Sequence, residues 1–239
     1  MSDRSQLHLA PHVRACHCDG QVILLDLRKG RYLGIGGRRL PALARAVQGW
    51  PAGAQDAAHF ADSPDVDELT KPLISQGLVT EHPTAKSHQH PLQEATTSLN
   101  AEDAAHEVST GPRRLFRFLL SASRASLSLR FCSLLTIATR VASRRVRLER
   151  RGAAISREAM RDAVGAYQKL RPLVFTAHDK CLHDSLALLD FLAGEEILAT
   201  WVLGVRTGPF AAHAWVQSGG VVLSDQHEHV RPFRPILAV

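Results

Sequence analysis

The sequence predicts an α+β protein built from two domains. In the N-terminal part, strand-like segments separated by turn signals come first and helical patterns follow, whereas in the C-terminal part helical patterns come first. Residues 83–112, between them, are rich in Pro, Ser, Thr and His and have little apolar periodicity, which is typical of a linker. We therefore expect domains at residues 1–82 and 113–239, joined by a flexible linker.

The N-terminal domain is predicted to be a small β-meander followed by helices. Its strand-like segments are HVRACHC, QVILLDL and RYLGI, which the turn signals DG and RKG separate. Helices are expected over 38–49 and 65–79. Asp65 and Asp67 near the start of the second helix favour the positive end of its dipole, and Gly77 marks its end.

The C-terminal domain is predicted to begin with a long basic helical region over 113–151, whose apolar side chains face a core. The alternative is a helix that lies on a membrane surface. A second helix is expected over 156–170, with Ser156 as its N-cap. A third is expected over 181–193, with Asp179 as its N-cap and a glycine directly after it. Strands follow to the C-terminus.

Composition excludes several classes of protein. With 45% hydrophobic and 22% charged residues, the chain can bury a core and is not intrinsically disordered. Four cysteines, at 16, 18, 132 and 181, fit neither a disulfide framework nor a CxxC zinc pair. The N-terminus has no signal-peptide pattern, and the longest apolar run, FCSLLTIA, is far below the ~20 residues that span a bilayer. We expect a cytoplasmic protein with reduced thiols and no stable membrane insertion.

Cys181 is predicted to lie in the first turn of its helix. The free backbone N–H groups there and the positive end of the helix dipole both favour a thiolate, which is the nucleophilic form of cysteine. Lys180 adds a nearby positive charge. The alternative is that Cys181 is a small buried apolar side chain, as many free cysteines are.

A hairpin with polar ends follows that helix. In PFAAHAWVQSGGVVLSD, two apolar strands flank a Gly-Gly turn. If SGG forms a three-residue loop, Gln217 pairs with Val221, and counting back places His213 opposite Asp225. A loop one residue shorter or longer would shift the pairing and break this match. The alternative is an ordinary surface pair that contributes little.

These residue types can form the triad of a cysteine protease. In such a triad the histidine takes and returns the thiol proton, and a third group fixes the tautomer and orientation of the imidazole. With Asp225 against one ring nitrogen, the other would face Cys181. Trp215 shares a strand face with His213 and is expected to shield the pair from water.

The C-terminal sequence resembles the B protein of lasso-peptide biosynthesis, in its transglutaminase-like leader-peptidase domain. The C-L-x-x-S-L-A-L segment of that family is matched from Cys181 to Leu188, and its H-A-W-V segment from His213 to Val216. Its aspartate after the hairpin turn is matched by Asp225. The resemblance implies a papain-like cysteine protease fold with these three residues as its catalytic triad. The family often has Glu where this chain has Gln217, a departure that we expect to have little effect on the chemistry.

The N-terminal sequence resembles the PqqD-like RiPP recognition element, a winged-helix-like domain of three strands plus three helices. The residues that match its V-x-L-L-D…G-x-Y-x-L pattern are Val22, Leu24, Leu25, Asp26, Gly30 and Tyr32. Gly34 departs from the pattern, because an apolar residue such as Leu33 would be expected to carry it. In such elements a leader peptide adds to the third strand and packs on the third helix. Here that implies leader-binding candidates at Arg31, Tyr32, Leu33, Ile35, Leu69 and Leu73.

The two resemblances together imply a leader peptidase of lasso-peptide maturation. The first domain would hold the leader of a ribosomal precursor peptide, and the second would cut between leader and core. A separate ATP-dependent lasso cyclase, resembling asparagine synthetase, would then use the freed α-amine of the core. We expect the chain itself to need no cofactor and no metal.

Three other functions fit parts of the sequence. A transglutaminase-like acyltransferase would use the same triad, with an amine in place of water. The net charge of +6 and the winged-helix-like pattern suit a nucleic-acid-binding regulator, but acidic residues such as Asp67 and Glu68 on its second helix would repel phosphate, so we expect no nucleic acid. Clustered histidines and cysteines would suit a metal protein: His12, Cys16, His17 and Cys18 form one group, and His227 and His229 another.

Overall fold

The computed structural model describes residues 6–37, 39–51, 66–82, 91–99, 110–152, 156–174 and 181–239. The chain divides into two compact units, one comprising Met1–His88 with Val205–Phe210 and the other comprising Gln89–Gly204 with Ala211–Val239. Among the described residues, no helix is long and apolar enough to cross a bilayer.

The first unit contains the predicted β-meander. Strands β2 (Val13–Cys18), β3 (Gln21–Asp26) and β4 (Arg31–Gly36) form an antiparallel sheet in which β4 is an edge strand. The DG turn joins β2 to β3, and both of its residues have positive φ, 46° at Asp19 and 72° at Gly20. Two such residues in a two-residue turn match the right-handed twist of the strands that they connect.

Helices and a second small sheet complete the first unit. Strand β1 (Leu7–Leu9) lies between β5 (Val47–Gln48) and β6 (Val79–Thr80). Helices α1 (Arg39–Ala46) and α2 (Val66–Ser75) are two of the three expected helices. Residues 52–65, including the predicted helix-start residue Asp65, lie outside the described part of the chain.

The second unit begins with helices, as predicted, but the region over 113–151 forms two of them. Helix α3 (Pro112–Phe131) ends before Cys132, and α4 (Leu134–Arg150) begins after Ser133. The prediction of one long helix was wrong because Ser133 caps a new helix: its Oγ accepts the N–H of Thr136 at 3.2 Å. The predicted N-cap Ser156 is confirmed, since it accepts the N–H of Ala159 at the start of α5 (Arg157–Leu170).

Helix α6 (Cys181–Gly194) has about half of its side chains buried in the second unit. It packs against α3, whose facing side chains Phe118, Ala122 and Ala125 are buried. The helix ends at the predicted glycine. The predicted N-cap Asp179 and the neighbouring Lys180 lie outside the described residues.

A five-stranded sheet packs with these helices. Its strands are β7 (Thr97–Ser98), β8 (Thr200–Thr207), β9 (Phe210–Ser218), β10 (Val221–Val222) and β11 (Arg234–Ala238), in the order β11-β8-β9-β10-β7. Strand β7 comes from the segment expected to be a linker. The N–H of Thr96 donates to the carbonyl of Gly220 at 2.9 Å, and the N–H of Leu99 donates to that of Val222 at 2.8 Å. Residues 91–99 are therefore part of the second unit.

Candidate functional site

Cys181 is the first residue of α6 and is partly exposed. Its thiol is hydrogen-bonded to the side chain of His213 and to the backbone N–H groups of Ala214 and Leu182. These contacts bring the start of α6 against the middle of β9. The sequence-predicted thiol and histidine therefore lie together.

Two neighbouring side chains hold the first turn of α6 in place. Asp184 accepts the Tyr167 hydroxyl at 2.8 Å and the Arg171 Nε at 2.7 Å. Both partners come from the end of α5 and the turn after it. Because Asp184 lies one helical turn after Cys181, this network fixes the thiol-bearing end of the helix.

His213 lies in β9 and contacts Asp225 through its other ring nitrogen. The Nε2 of His213 is 2.8 Å from the Oδ2 of Asp225, and their side chains are only 12% and 23% exposed. Since Nε2 is used in this way, Nδ1 is the ring nitrogen left to face the thiol of Cys181. The structure thus brings all three predicted catalytic residues into one hydrogen-bonded chain.

Aromatic rings enclose the imidazole, as expected for Trp215. The ring of Trp215 is stacked on that of His213, with a centroid distance of 6.1 Å and an angle of 17° between the ring planes. The centroid of the Phe233 ring lies 5.2 Å from that of His213. Trp215 can take this position because residue 204 is glycine: a Cβ there would lie 2.7 Å from the indole ring. The buried rings reduce access of water to the imidazole.

The predicted hairpin register was wrong by one residue. Val221 pairs with Ser218 and Val222 with Gln217, so the turn has two residues rather than three. The contact between His213 and Asp225 survives because the paired strand ends at Val222, and the chain then bends before it reaches Asp225. The bend, rather than cross-strand pairing, places the carboxylate of Asp225 next to His213.

The pKa values of the thiol and the imidazole shift in opposite directions. The hydrogen bond with His213 lowers the pKa of Cys181 below its usual value, against the effect of burial. Burial alone would lower the pKa of His213, but hydrogen bonds with Asp225 and Cys181 outweigh it and raise that pKa to about 9. The pair therefore favours a thiolate beside an imidazolium, which is the reactive combination in cysteine nucleophiles.

The carboxylate stays ionised and has further partners that the sequence did not reveal. Burial would raise the pKa of Asp225, but hydrogen bonds from His213 and the backbone N–H of Gln226 outweigh it and lower that pKa. The Nδ1 of His229 also lies 2.9 Å from the Oδ2 of Asp225. The spacing of four between Asp225 and His229 would have indicated this contact, had the short helix α7 (His227–Val230) been predicted.

One group of side chains in the described part of the chain has a spacing that a metal ion can bridge. Ligand atoms of His213, Asp225 and His229 all lie within 4.8 Å of one another. Hydrogen bonds already account for these contacts, so we assign no metal to them.

The expected leader-binding residues lie on β4 and α2 of the first unit, and their burial differs. Ile35 and Leu73 are 9% and 5% exposed and belong to the hydrophobic core. Leu33 is 36% exposed, and Arg31 is also exposed. Tyr32 packs edge-on against Phe210, and Leu69 packs against the core from a partly buried position.

Comparisons with known proteins agree with the C-terminal part of this description. Residues 116–238, more than half of the chain, match the family model described as Transglutaminase-like superfamily. A segment of 45 residues is 49% identical to the Microcin J25-processing protein McjB of Escherichia coli, and covers 19% of this chain and 22% of that protein. The chain thus spans about a fifth of the length of this curated relative. No solved structure matches it.

These matches confirm the predicted α+β class with a transglutaminase-like C-terminal domain, and they support the resemblance to lasso-peptide B proteins. The PqqD-like resemblance of the N-terminal unit stays a prediction. The chain belongs to the transglutaminase-like superfamily.

Proposed function

We propose that the chain is a cysteine peptidase that removes the leader from a lasso precursor peptide. The observation that carries this proposal is the hydrogen-bonded chain from Cys181 through His213 to Asp225, in a member of the transglutaminase-like superfamily. The partial match to a protein named for microcin J25 processing supports the substrate class.

In the proposed reaction, the Cys181 thiolate attacks the carbonyl carbon of the leader–core peptide bond. The imidazolium of His213 gives its proton to the departing amine, which frees the α-amine of the core and leaves the leader as a thioester on Cys181. Water, deprotonated by His213, then attacks the thioester and releases the leader with a free carboxylate. Asp225 keeps the imidazole oriented throughout. The backbone N–H of Cys181 is the first candidate to stabilise the oxyanion, because it lies in the first turn of α6.

The N-terminal unit is proposed to hold the leader at the edge strand β4. An edge strand offers backbone groups for strand addition, and the exposed side chains of Leu33 on β4 and Ile74 on α2, at 36% and 38%, offer apolar contacts. Ile35 and Leu73 would support this surface from the core beneath it. We place the reaction in the cytoplasm, where the thiol stays reduced, and propose an ATP-dependent cyclase as the partner that uses the freed core amine.

The identity of the product tests this function. The chain is incubated in ¹⁸O-labelled water with a lasso precursor peptide, and the products are identified by mass spectrometry. We expect a leader that has gained one ¹⁸O at its new carboxylate, and a core with a free α-amine. A leader joined to an added amine, with no ¹⁸O, would instead show the acyltransferase alternative.

A further inference from the structure

The carboxylate of Asp225 is shared between two histidines. Its Oδ2 is 2.8 Å from the Nε2 of His213 and 2.9 Å from the Nδ1 of His229, while its Oδ1 accepts the backbone N–H of Gln226 at 2.7 Å. We propose that His229 is a positioning residue for the catalytic reaction: it holds the carboxylate of Asp225 in the orientation that His213 needs. This inference rests on the proposed peptidase function.

Asp225 needs such support because the last contact of its segment with the β9 backbone comes from the residue before it, where the Oγ of Ser224 accepts the N–H of Val216 at 2.9 Å. His213 lies within β9, where the sheet fixes its backbone, but Asp225 lies in a bend after β10 has ended. The elements that follow are the N–H of Gln226 and the short helix α7, which carries His229 four residues after Asp225. The contact from His229 therefore acts on the carboxylate beyond the point where hydrogen bonds to the β9 backbone have ended.

The hydrogen bonds to Asp225 determine which ring nitrogens of the two histidines carry protons. An ionised carboxylate only accepts hydrogen bonds, so both the Nε2 of His213 and the Nδ1 of His229 must carry protons. A proton on Nε2 leaves Nδ1 of His213 as the atom that exchanges a proton with Cys181. By fixing the acceptor, His229 helps to fix the tautomer of His213 on which this exchange depends.

His229 can be substituted with little effect on the core, because its side chain is 61% exposed. Its ring lies 4.9 Å from that of His213 and 6.2 Å from that of Phe233, at the solvent side of the aromatic group around the site. The neighbouring His227 gives a control on the same short helix, since its Nδ1 lies 3.1 Å from Glu228 instead of Asp225.

The test compares His229→Phe, which keeps a ring but loses the donor, with His229→Asn, whose amide nitrogen can take the place of Nδ1. His227→Phe is the control. Two readouts are measured for each variant: kcat and KM for leader removal, and the rate at which iodoacetamide alkylates Cys181 below neutral pH. Peptide mapping separates Cys181 from the other three cysteines.

We expect His229→Phe to lower kcat by about 2- to 5-fold, the effect of losing one hydrogen bond to a charged group from an exposed side chain, with little change in KM. Alkylation of Cys181 should slow in parallel, because a poorly held imidazolium stabilises the thiolate less. His229→Asn should recover most of both rates, and His227→Phe should resemble the unmodified chain.

Three results would overturn the role of His229: no effect of His229→Phe, an equal loss in His229→Phe and His229→Asn, or a change in KM alone. If the unmodified chain fails to cut the precursor, the proposed peptidase function fails. The alkylation contrast between the two His229 variants would still decide the positioning role.

Discussion

At the scale of single residues, the site depends on hydrogen bonds that outweigh the effects of burial. Burial of Cys181 and Asp225 opposes their ionised forms, and burial of His213 opposes its protonated form. Each pKa nevertheless shifts toward the charged form, because each group is hydrogen-bonded to the next. The thiolate, the imidazolium and the carboxylate therefore stabilise one another, and loss of one affects the other two.

The opposed pKa shifts predict the pH dependence of the proposed leader removal. The pKa of Cys181 is lowered and that of His213 is raised to about 9, so the active ion pair exists between the two values. As pH rises through about 9, His213 loses the proton that the leaving amine needs, and kcat/KM should fall about tenfold per pH unit.

Asp225→Asn should move this alkaline limb to lower pH, since the imidazolium loses its carboxylate partner. The pH profiles of kcat/KM for both forms measure the shift. If kcat/KM falls at the same alkaline pH in Asp225→Asn as in the unmodified chain, the carboxylate does not support the imidazolium.

The identity of the three predicted site residues could be inferred from the sequence, but their full contacts could not. Cys181, His213 and Asp225 have residue types and local patterns that suit one chemistry. His229 was noted only as a neighbouring histidine, because its contact with Asp225 depends on the four-residue helix α7, which is too short to leave a periodic pattern.

At the scale of elements, the hairpin shows how a correct contact can follow from a wrong register. The sequence suggested a three-residue loop, whereas the actual turn has two residues, with Gly219 at a φ of 57°. The prediction assumed that β10 continues to Asp225, but the strand ends at Val222, and the last hydrogen bonds to the β9 backbone are those of Leu223 and Ser224 with Val216. The length of a paired strand depends on tertiary contacts, which a local pattern does not contain.

Gln217 connects several elements next to this hairpin. It is 1% exposed; its Oε1 accepts the Trp215 Nε1 at 2.7 Å, and its Nε2 donates to the carbonyls of Gln93 and Gly219 at 2.9 and 2.8 Å. Through Trp215, which stacks on His213, the position of Gln217 is linked to the site. A glutamate here would lack the two donors, so this departure from the family pattern has a structural role.

Strand β7 and the residues before it are expected to stabilise the second unit. A fragment of residues 113–239 lacks the backbone donors of Thr96 and Leu99 and the carbonyl that Gln217 uses. The N–H of Thr97, which also donates to Gly220, is lost as well. With these four hydrogen bonds lost at about 1 kcal/mol each, its free energy of unfolding should be lower by about 4 kcal/mol than that of residues 89–239. Urea unfolding of the two fragments measures the difference. Equal midpoints and slopes would show that β7 adds nothing to the fold.

At the scale of the whole molecule, the features that suit peptide binding and those that suit catalysis lie in different compact units. The first unit has an edge strand beside exposed apolar side chains, and the second has the thiol, imidazole and carboxylate. Sequence patterns predicted the meander of the first unit and the helices before the strands of the second, because turn signals and helical periodicity are local. They missed the sheet of β1, β5 and β6 and the break between α3 and α4. They did not assign residues 91–99 to the second unit, since a two-residue strand pairs only through distant partners.

If the first unit binds the leader, it should do so without the peptidase. Residues 1–82 alone should raise the anisotropy of a fluorescent leader peptide as the full chain does. Leu33→Glu should weaken binding about tenfold or more, because it places a charge on the exposed apolar part of the edge strand. A leader that binds the full chain but not residues 1–82 would place recognition elsewhere in the chain.

The central claim is that the Cys181 thiolate cuts the precursor, and substitution of that thiol tests it most directly. Cys132→Ala is a matched control, because Cys132 is also a free and partly exposed cysteine. Mass spectrometry of the precursor after incubation with each variant gives the result. We predict that Cys181→Ala leaves the precursor uncut while still binding the leader, and that Cys132→Ala releases leader and core as the unmodified chain does. Normal cleavage by Cys181→Ala would contradict the assignment of the nucleophile and the mechanism built on it.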